Sequence, residues 1–160
     1  MSILFKKIGI IHTPFKSPQG MPIQPSSATS IRGTINIFPE YSQGLKDLDG
    51  FSHIILLFYF HKVTKASLIV TPFLDNEPRG VFATRAPKRP NPIGLSIVKL
   101  LGIKELILEV ENIDILDNTP LLDIKPYVPE FDQYSVNKIG WLEKAKKIIE
   151  KTKSDDRFIK

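Results

Sequence analysis

At 160 residues, with 42% hydrophobic and 24% charged side chains, the chain has the size and balance of one globular domain able to bury a core. It has no cysteine, which excludes disulfides, thiolate metal sites and cysteine nucleophiles and fits the cytoplasm; no apolar run reaches the roughly 18 residues of a membrane helix. A net charge of +5 and a pI of about 9.4 permit contact with a polyanion such as RNA without requiring it.

The first residues place their apolar side chains before Lys6 and Lys7, with no long apolar stretch behind them, so no signal peptide is expected. Residues 3–11 are β-rich, with Ile8 and Ile10 on one face, and predict the first strand. Residues 13–27 carry four prolines and a glycine and predict a long irregular loop, a kind often reserved for function. Residues 31–38 alternate about Ile31, Ile35 and Ile37 and predict a second strand; residues 39–48 allow a short helix that Gly50 ends. Residues 51–61 form the most apolar run. A strand without alternation is expected to be buried on both faces, here as a barrel wall covered outside by a helix or a partner chain. His53 and His61 stand eight residues apart in it, about 26 Å at roughly 3.3 Å per residue, so no histidine metal site is expected. Residues 66–74 suggest a further strand broken by Pro72.

The stretch from Gly80 to Ile103 organises the rest. Two apolar segments flank Arg85, Lys88, Arg89 and Asn91, punctuated by Pro87, Pro90 and Pro92. Each proline fixes its own φ and pushes the residue before it toward extended geometry. A helix is thereby forbidden, and a stiff basic loop between two strands is expected. Arg79, Arg85, Lys88 and Arg89 share a segment without an acidic residue. Residues 105–112 alternate as a half-exposed strand. In residues 114–127, Asp117-Asn118-Thr119-Pro120 is turn chemistry, while Asp123, Lys125 and Tyr127 fall on one face of an extended segment. Trp141, Leu142, Ala145, Ile148 and Ile149 have the spacing of an amphipathic helix. The division expected is a β-barrel domain over 1–135, a helix packed on it over 136–153, and a frayed tail over 154–160. The fold class expected is mostly β, a barrel with one C-terminal amphipathic helix and short loop helices.

The run Ala83-Thr84-Arg85-Ala86-Pro87-Lys88-Arg89-Pro90-Asn91-Pro92-Ile93-Gly94-Leu95-Ser96 resembles the signature of the TsaA-like family, whose characterised members are the TrmO tRNA methyltransferases. The Gly-Phe-Ser-His and Phe-His ends of residues 50–61 agree with it, as does the stretch 114–127; the likeness covers roughly residues 5 to 132. It implies a homodimeric β-barrel that binds S-adenosyl-L-methionine (SAM) and acts on tRNA, without metal or membrane. Cofactor contacts are implied at Pro22, Ile23 and Gln24, where isoleucine replaces the family's arginine, and at His61, Lys62, Arg89, Leu95, Asp117, Asn118, Thr119 and Pro120. Arg89 is expected at the SAM carboxylate, and Arg79, Arg85 and Lys88 at RNA. Several members carry a further C-terminal domain, and none is expected within these 160 residues.

The reaction implied is methyl transfer to N6 of adenosine 37 in tRNA, on a base already carrying threonylcarbamoyl. No Gly-x-Gly occurs, so the usual SAM-binding Rossmann signature is absent, and methyl transfer rests on the resemblance alone. A ureido-type N6 is a weak nucleophile with an acidified N–H, so a positioned base would help. Asp123 is the expected base, with Tyr127 orienting the adenine and Lys125 favouring the carboxylate; a plain Asp123–Lys125 ion pair is the competing reading. Should Asp123 prove structural, the base falls to Asp114, Asp117 or His61. Two alternatives stand beside the tRNA enzyme: a non-catalytic RNA- or SAM-binding module, and a methyltransferase of small molecules.

Overall fold

The computed structural model describes residues 1–23, 28–145, 153–155 and 157–158. Six antiparallel strands close into a barrel: β1 (Gly9–His12), β2 (Arg32–Ile37), β3 (His53–Tyr59), β6 (Ile93–Lys104), β7 (Ile107–Glu111) and β8 (Thr119–Pro126), in the order β1-β2-β7-β6-β3-β8. A two-residue ribbon of β4 (Ile69–Val70) and β5 (Arg79–Gly80) stands outside it. Closure gives each of the six barrel strands a partner on both sides. The interior is filled by β-branched and leucine side chains at alternate positions, among them Ile11, Ile35, Ile54, Leu56, Val98 and Leu108, all without exposed surface.

β3 departs from the expectation of two buried faces. Ile54, Leu56 and Phe58 point into the core, whereas Ile55 and Leu57 are half-buried and Tyr59 is exposed. The run is apolar throughout, yet a closed barrel has only one dry face. The outward row continues across the register, with Leu57 opposite the exposed Leu95 on β6 and opposite Asp123 on β8.

Two irregularities shape the wall. The 12-residue β6 passes from β3 to β7 at Lys99 and slips register against β7 between Leu100 and Gly102. β8 slips between its partners Leu57 and Phe58: Leu121 pairs with the inward Phe58, while Asp123 already pairs with the outward Leu57. Without that extra residue Asp123 would share the face of Leu121.

Other elements are shorter than expected. β1 begins at Gly9 because the register with β2 and β8 begins there; Ile3, Leu4 and Phe5 precede any partner and are exposed. The strand expected over 66–74 survives only as β4. The helix expected over 39–48 is a 3-10 turn at Pro39–Leu45, followed by a second at Leu48–Gly50. A one-turn helix, α1 (Pro129–Asp132), was not expected. Where the C-terminal amphipathic helix is expected, the described residues hold a 3-10 turn at Gly140–Ala145, and residues 146–152 lie outside them. Far from fraying, the described tail docks: Ser154 exchanges backbone hydrogen bonds with Gly20 and Met21 at 2.9 and 2.8 Å, and Phe158 is buried against Phe73. No helix among the described residues is long and apolar enough to cross a membrane.

Gly94 at the head of β6 is required by close packing. A Cβ there would come within 2.3 Å of the Phe58 ring, which is itself buried and packed edge-on against Phe60. Gly94→Ala should therefore cost about 1–3 kcal/mol, the range for overpacking, measured as a drop in the denaturation midpoint at unchanged slope.

Candidate active site

One rim of the barrel collects the end of β3, the heads of β6 and β8, and the β7–β8 connection. The proline loop lies across it as a braced structure. Thr84 Oγ1 donates to the Val81 carbonyl at 2.8 Å and accepts from the Ala86 amide at 3.1 Å. Arg89 Nη1 donates to the carbonyls of Val81, Thr84 and Ala86 at 3.0, 2.8 and 3.3 Å. The backbone folds back on itself at Pro87–Arg89 and Asn91–Ile93. Prolines rule out a helix and the guanidinium ties the coil shut.

Between this loop and the barrel mouth lies a cavity of about 370 Å³, within the usual size of small-ligand sites. Its apolar wall includes Met21, Phe58, Phe60 and Phe73, and its polar groups include His61, Lys62, Arg85, Ser96, Asp114 and Thr119. Of the residues expected to hold a cofactor, Pro22, Ile23, His61, Lys62, Arg89, Leu95 and Thr119 line it, although they come from five separate stretches of chain. Gln24 lies outside the described residues. His61 is held toward its neutral form by burial and by the adjoining Lys62 charge, and its Nδ1 lies 3.4 Å from Thr119 Oγ1. The Thr119 hydroxyl gives its own proton to the Leu116 carbonyl at 2.6 Å.

Asp117, Asn118 and Pro120 are not on the cavity wall. Asp117 accepts from the Thr13 amide at 2.9 Å, from Lys16 Nζ at 2.6 Å and from Asn118 Nδ2 at 3.0 Å, with His12 Nδ1 at 3.6 Å. The Lys16 hydrogen bond holds its pKa below the ordinary carboxylate value. Its work in the described structure is to pin the loop after β1 to the β7–β8 turn, where Asn118 adopts a positive φ of 61°.

Arg79 pairs with Asp75 at 2.6 Å and lies 5.9 Å from the Trp141 ring. Arg85 is exposed at the cavity mouth and Lys88 is half-buried, its carbonyl receiving the Ser67 amide at 3.0 Å. Asp123 and Tyr127 do not line the cavity. The β8 bulge puts Asp123, Lys125 and Tyr127 together on the outer wall, as their spacing predicts, with Asp123 and Lys125 paired at 2.8 Å and both more than two-fifths exposed. Tyr127 meets His53 edge-on at 6.4 Å.

Two described acids line the cavity, Asp155, which pairs with Arg157 at 2.8 Å, and Asp114 at the barrel mouth. Ser96 Oγ donates to Asp114 Oδ1 at 2.6 Å, and the pKa of Asp114 is pushed up to about 6. Burial is the larger cause; the Ser96 hydrogen bond, its own backbone amide and the nearby Arg85 charge pull the other way. A carboxyl so placed exchanges protons near neutral pH. The signal in the chain was an aspartate set between Ile113 and Ile115, both of them fully buried or nearly so.

Residues 10–133 match the family described as the tRNA-methyltransferase O N-terminal domain. The chain belongs to that family. It is 55% identical over 158 residues to a probable S-adenosyl-L-methionine-binding protein of Pyrococcus abyssi, covering 99% of this chain and 86% of that one. It is 38% identical to the tRNA (adenine(37)-N6)-methyltransferase of Escherichia coli over 80% of this chain, but 59% of the enzyme. The crystal structure of TrmO from Pseudomonas aeruginosa superposes with a TM-score of 0.74 at 38% identity, over 88% of this chain and 63% of that chain. The chain thus spans less than two thirds of these bacterial TrmO-family proteins.

Asp114 generates a stability prediction. Its pKa is higher folded than unfolded, so the native state binds the extra proton between about pH 4 and 6, and stability falls as pH rises through that window. A rise of roughly two units corresponds to about 3 kcal/mol at pH 8. Asp114→Asn keeps the acceptor for Ser96 and loses the buried charge. It should melt above the wild type at pH 8, and the two melts should converge below pH 4 in calorimetric scans.

Proposed function

We propose that the protein is a SAM-dependent methyltransferase that modifies N6 of adenosine 37 in the tRNA anticodon loop, with N6-threonylcarbamoyladenosine as acceptor. The carrying observation is the rim cavity, in which family-signature residues from separate stretches meet a carboxyl that titrates near neutrality. Its chemistry suits SAM: aromatic walls for the adenine and sulfonium, Lys62 and Arg89 for the carboxylate, and the hydroxyls of Ser96 and Thr119 for hydrogen bonding. SAM supplies a methyl on a sulfonium, which needs only an aligned nucleophile.

The chain's own part is to position and to deprotonate. As the bond to N6 forms, the N6 proton must leave, and Asp114 is the group we assign to take it. A base with a pKa of about 6 is largely ionised at pH 7.5 and still a useful acceptor. Ser96 fixes the carboxylate's orientation, and the charge of Arg85 holds part of the population ionised. His61, held toward neutrality, remains a hydrogen-bonding partner rather than a like charge against the sulfonium.

We further propose that two copies pair through the outer face carrying Leu57, Tyr59 and Leu95, an apolar row that one chain leaves open in part. Asp123 borders this row opposite Leu57, while Tyr127 lies beside His53 at the other end of β3, so a part for Asp123 in the reaction is a part played toward the second copy's cavity. The names of the archaeal relatives stop at SAM binding, so the assay must detect transfer and not affinity alone.

Incubation with labelled SAM and threonylcarbamoylated tRNA should place label in the modified adenosine, read by nucleoside mass spectrometry. SAM binding without label would leave a binding module. The rate should rise with pH through about 6 and flatten above it, as Asp114 ionises, and Asp114→Asn should lose about 10²–10⁴ in kcat. Sedimentation at micromolar concentration should give a dimer, and a monomer would remove the role of the outer face.

A further inference from the structure

A second cavity, of about 530 Å³, adjoins the first and shares with it Ile23, Phe73, Thr84, Arg85 and Phe158. Its character differs. Four aromatic rings, those of Phe73, Phe82, Trp141 and Phe158, contribute to its wall, and no acidic side chain lines it among the described residues.

The rings are held from behind. Trp141 Nε1 donates to the Ala83 carbonyl at 2.8 Å, fixing the indole against the turn at Val81–Ala83. The Arg79 guanidinium lies 5.9 Å from the indole and is itself anchored by Asp75 at 2.6 Å, a carboxylate thereby neutralised. Phe82 is 74% exposed, with Arg89 at 5.9 Å from its ring. A large apolar ring so open to water, on a braced turn and amid arginines, is a poor use of core material. Fixed rings ringed by cations are what proteins offer to unpaired bases, which stack through their faces and bring phosphates with them.

We propose that this second cavity receives the acceptor nucleotide: a purine swung out of a single-stranded RNA loop, stacked against Phe82 and Trp141, with Arg79 and Arg85 toward its phosphates. This rests on the methyltransferase reading and deepens it. Transfer requires donor and acceptor to lie in contact, and the two cavities meet at Thr84 and Arg85. Arg85 is also the cation whose charge reaches Asp114, so the shared wall adjoins the assigned base. A base unstacked in an anticodon loop can be extruded without opening a duplex.

Trp141 is the only tryptophan in the chain, so its emission reports on this cavity directly. A synthetic anticodon stem-loop RNA should quench it, and the same stem-loop with an abasic site at position 37 should not. Phe82→Ala, at an exposed position, should raise KM for the RNA at least tenfold, with calorimetric SAM affinity as in the wild type; Trp141→Ala should do the same. Equal quenching by the intact and abasic RNAs, or a wild-type KM in both variants, overturns the proposal. If the wild type neither binds SAM nor methylates RNA, the methyltransferase reading fails on its own. The intact-versus-abasic comparison then still decides whether the cavity takes a base.

Discussion

The three hydrogen bonds that Arg89 Nη1 donates to the carbonyls of Val81, Thr84 and Ala86 hold the geometry on which both cavities depend. The Val81 carbonyl also accepts from the Thr84 amide and hydroxyl, whereas the Thr84 and Ala86 carbonyls lie in the proline coil, and the guanidinium donates to both. A charged donor bonds such groups more strongly than a neutral one. The result is one rigid wall, with the first cavity on its barrel side and the second around Phe82. An arginine expected to meet a cofactor carboxylate is therefore also an element of the fold, and lysine, with a point charge in place of a planar fork, is a poor substitute.

The barrel sets the site's depth. An antiparallel barrel this small is filled by its own side chains, so space for a ligand exists only at the rim, where β3, β6 and β8 part. Gly94 and Phe58 show how tightly that mouth is fitted. Asp114 sits at the same level, and its raised pKa reflects a carboxyl kept at some cost in a poorly solvated place. The fold would be more stable without that charge, which is the sense in which the site and the core compete. The C-terminal strand-like contact of Lys153 with Pro22 and the burial of Phe158 close the side of the cavity that the barrel cannot reach.

Much of this was legible in the chain. Alternation in residues 31–38 and 105–112 marks strands because one side of each faces a dry interior. The prolines between Ala86 and Ile93 announce a stiff loop from local sterics alone. The resemblance carried by residues 83–96 and 114–127 led to the family. The chain is less legible where burial has to be inferred from composition. The run from Ile54 to Tyr59 is apolar at every position, yet only alternate residues are inside, and the period is invisible when outward positions are apolar too. Beyond Lys153 the chain reads as a charged tail, yet Phe158 is buried against Phe73.

The sequence by itself determined the class of fold, the stiffness and charge of the central loop, and membership of the family, since each depends on residue type and short-range spacing. Tertiary structure alone decided that Asp114, and not Asp123, faces the cavity. Asp123 shares parity with the buried Leu121, and one bulged residue in β8 turns it outward, while Asp114, in an irregular connection with no period to read, turns in beside Ser96. A register slip is a property of paired strands, and a pKa is a property of what surrounds the group. Neither is written in the order of residues along one strand.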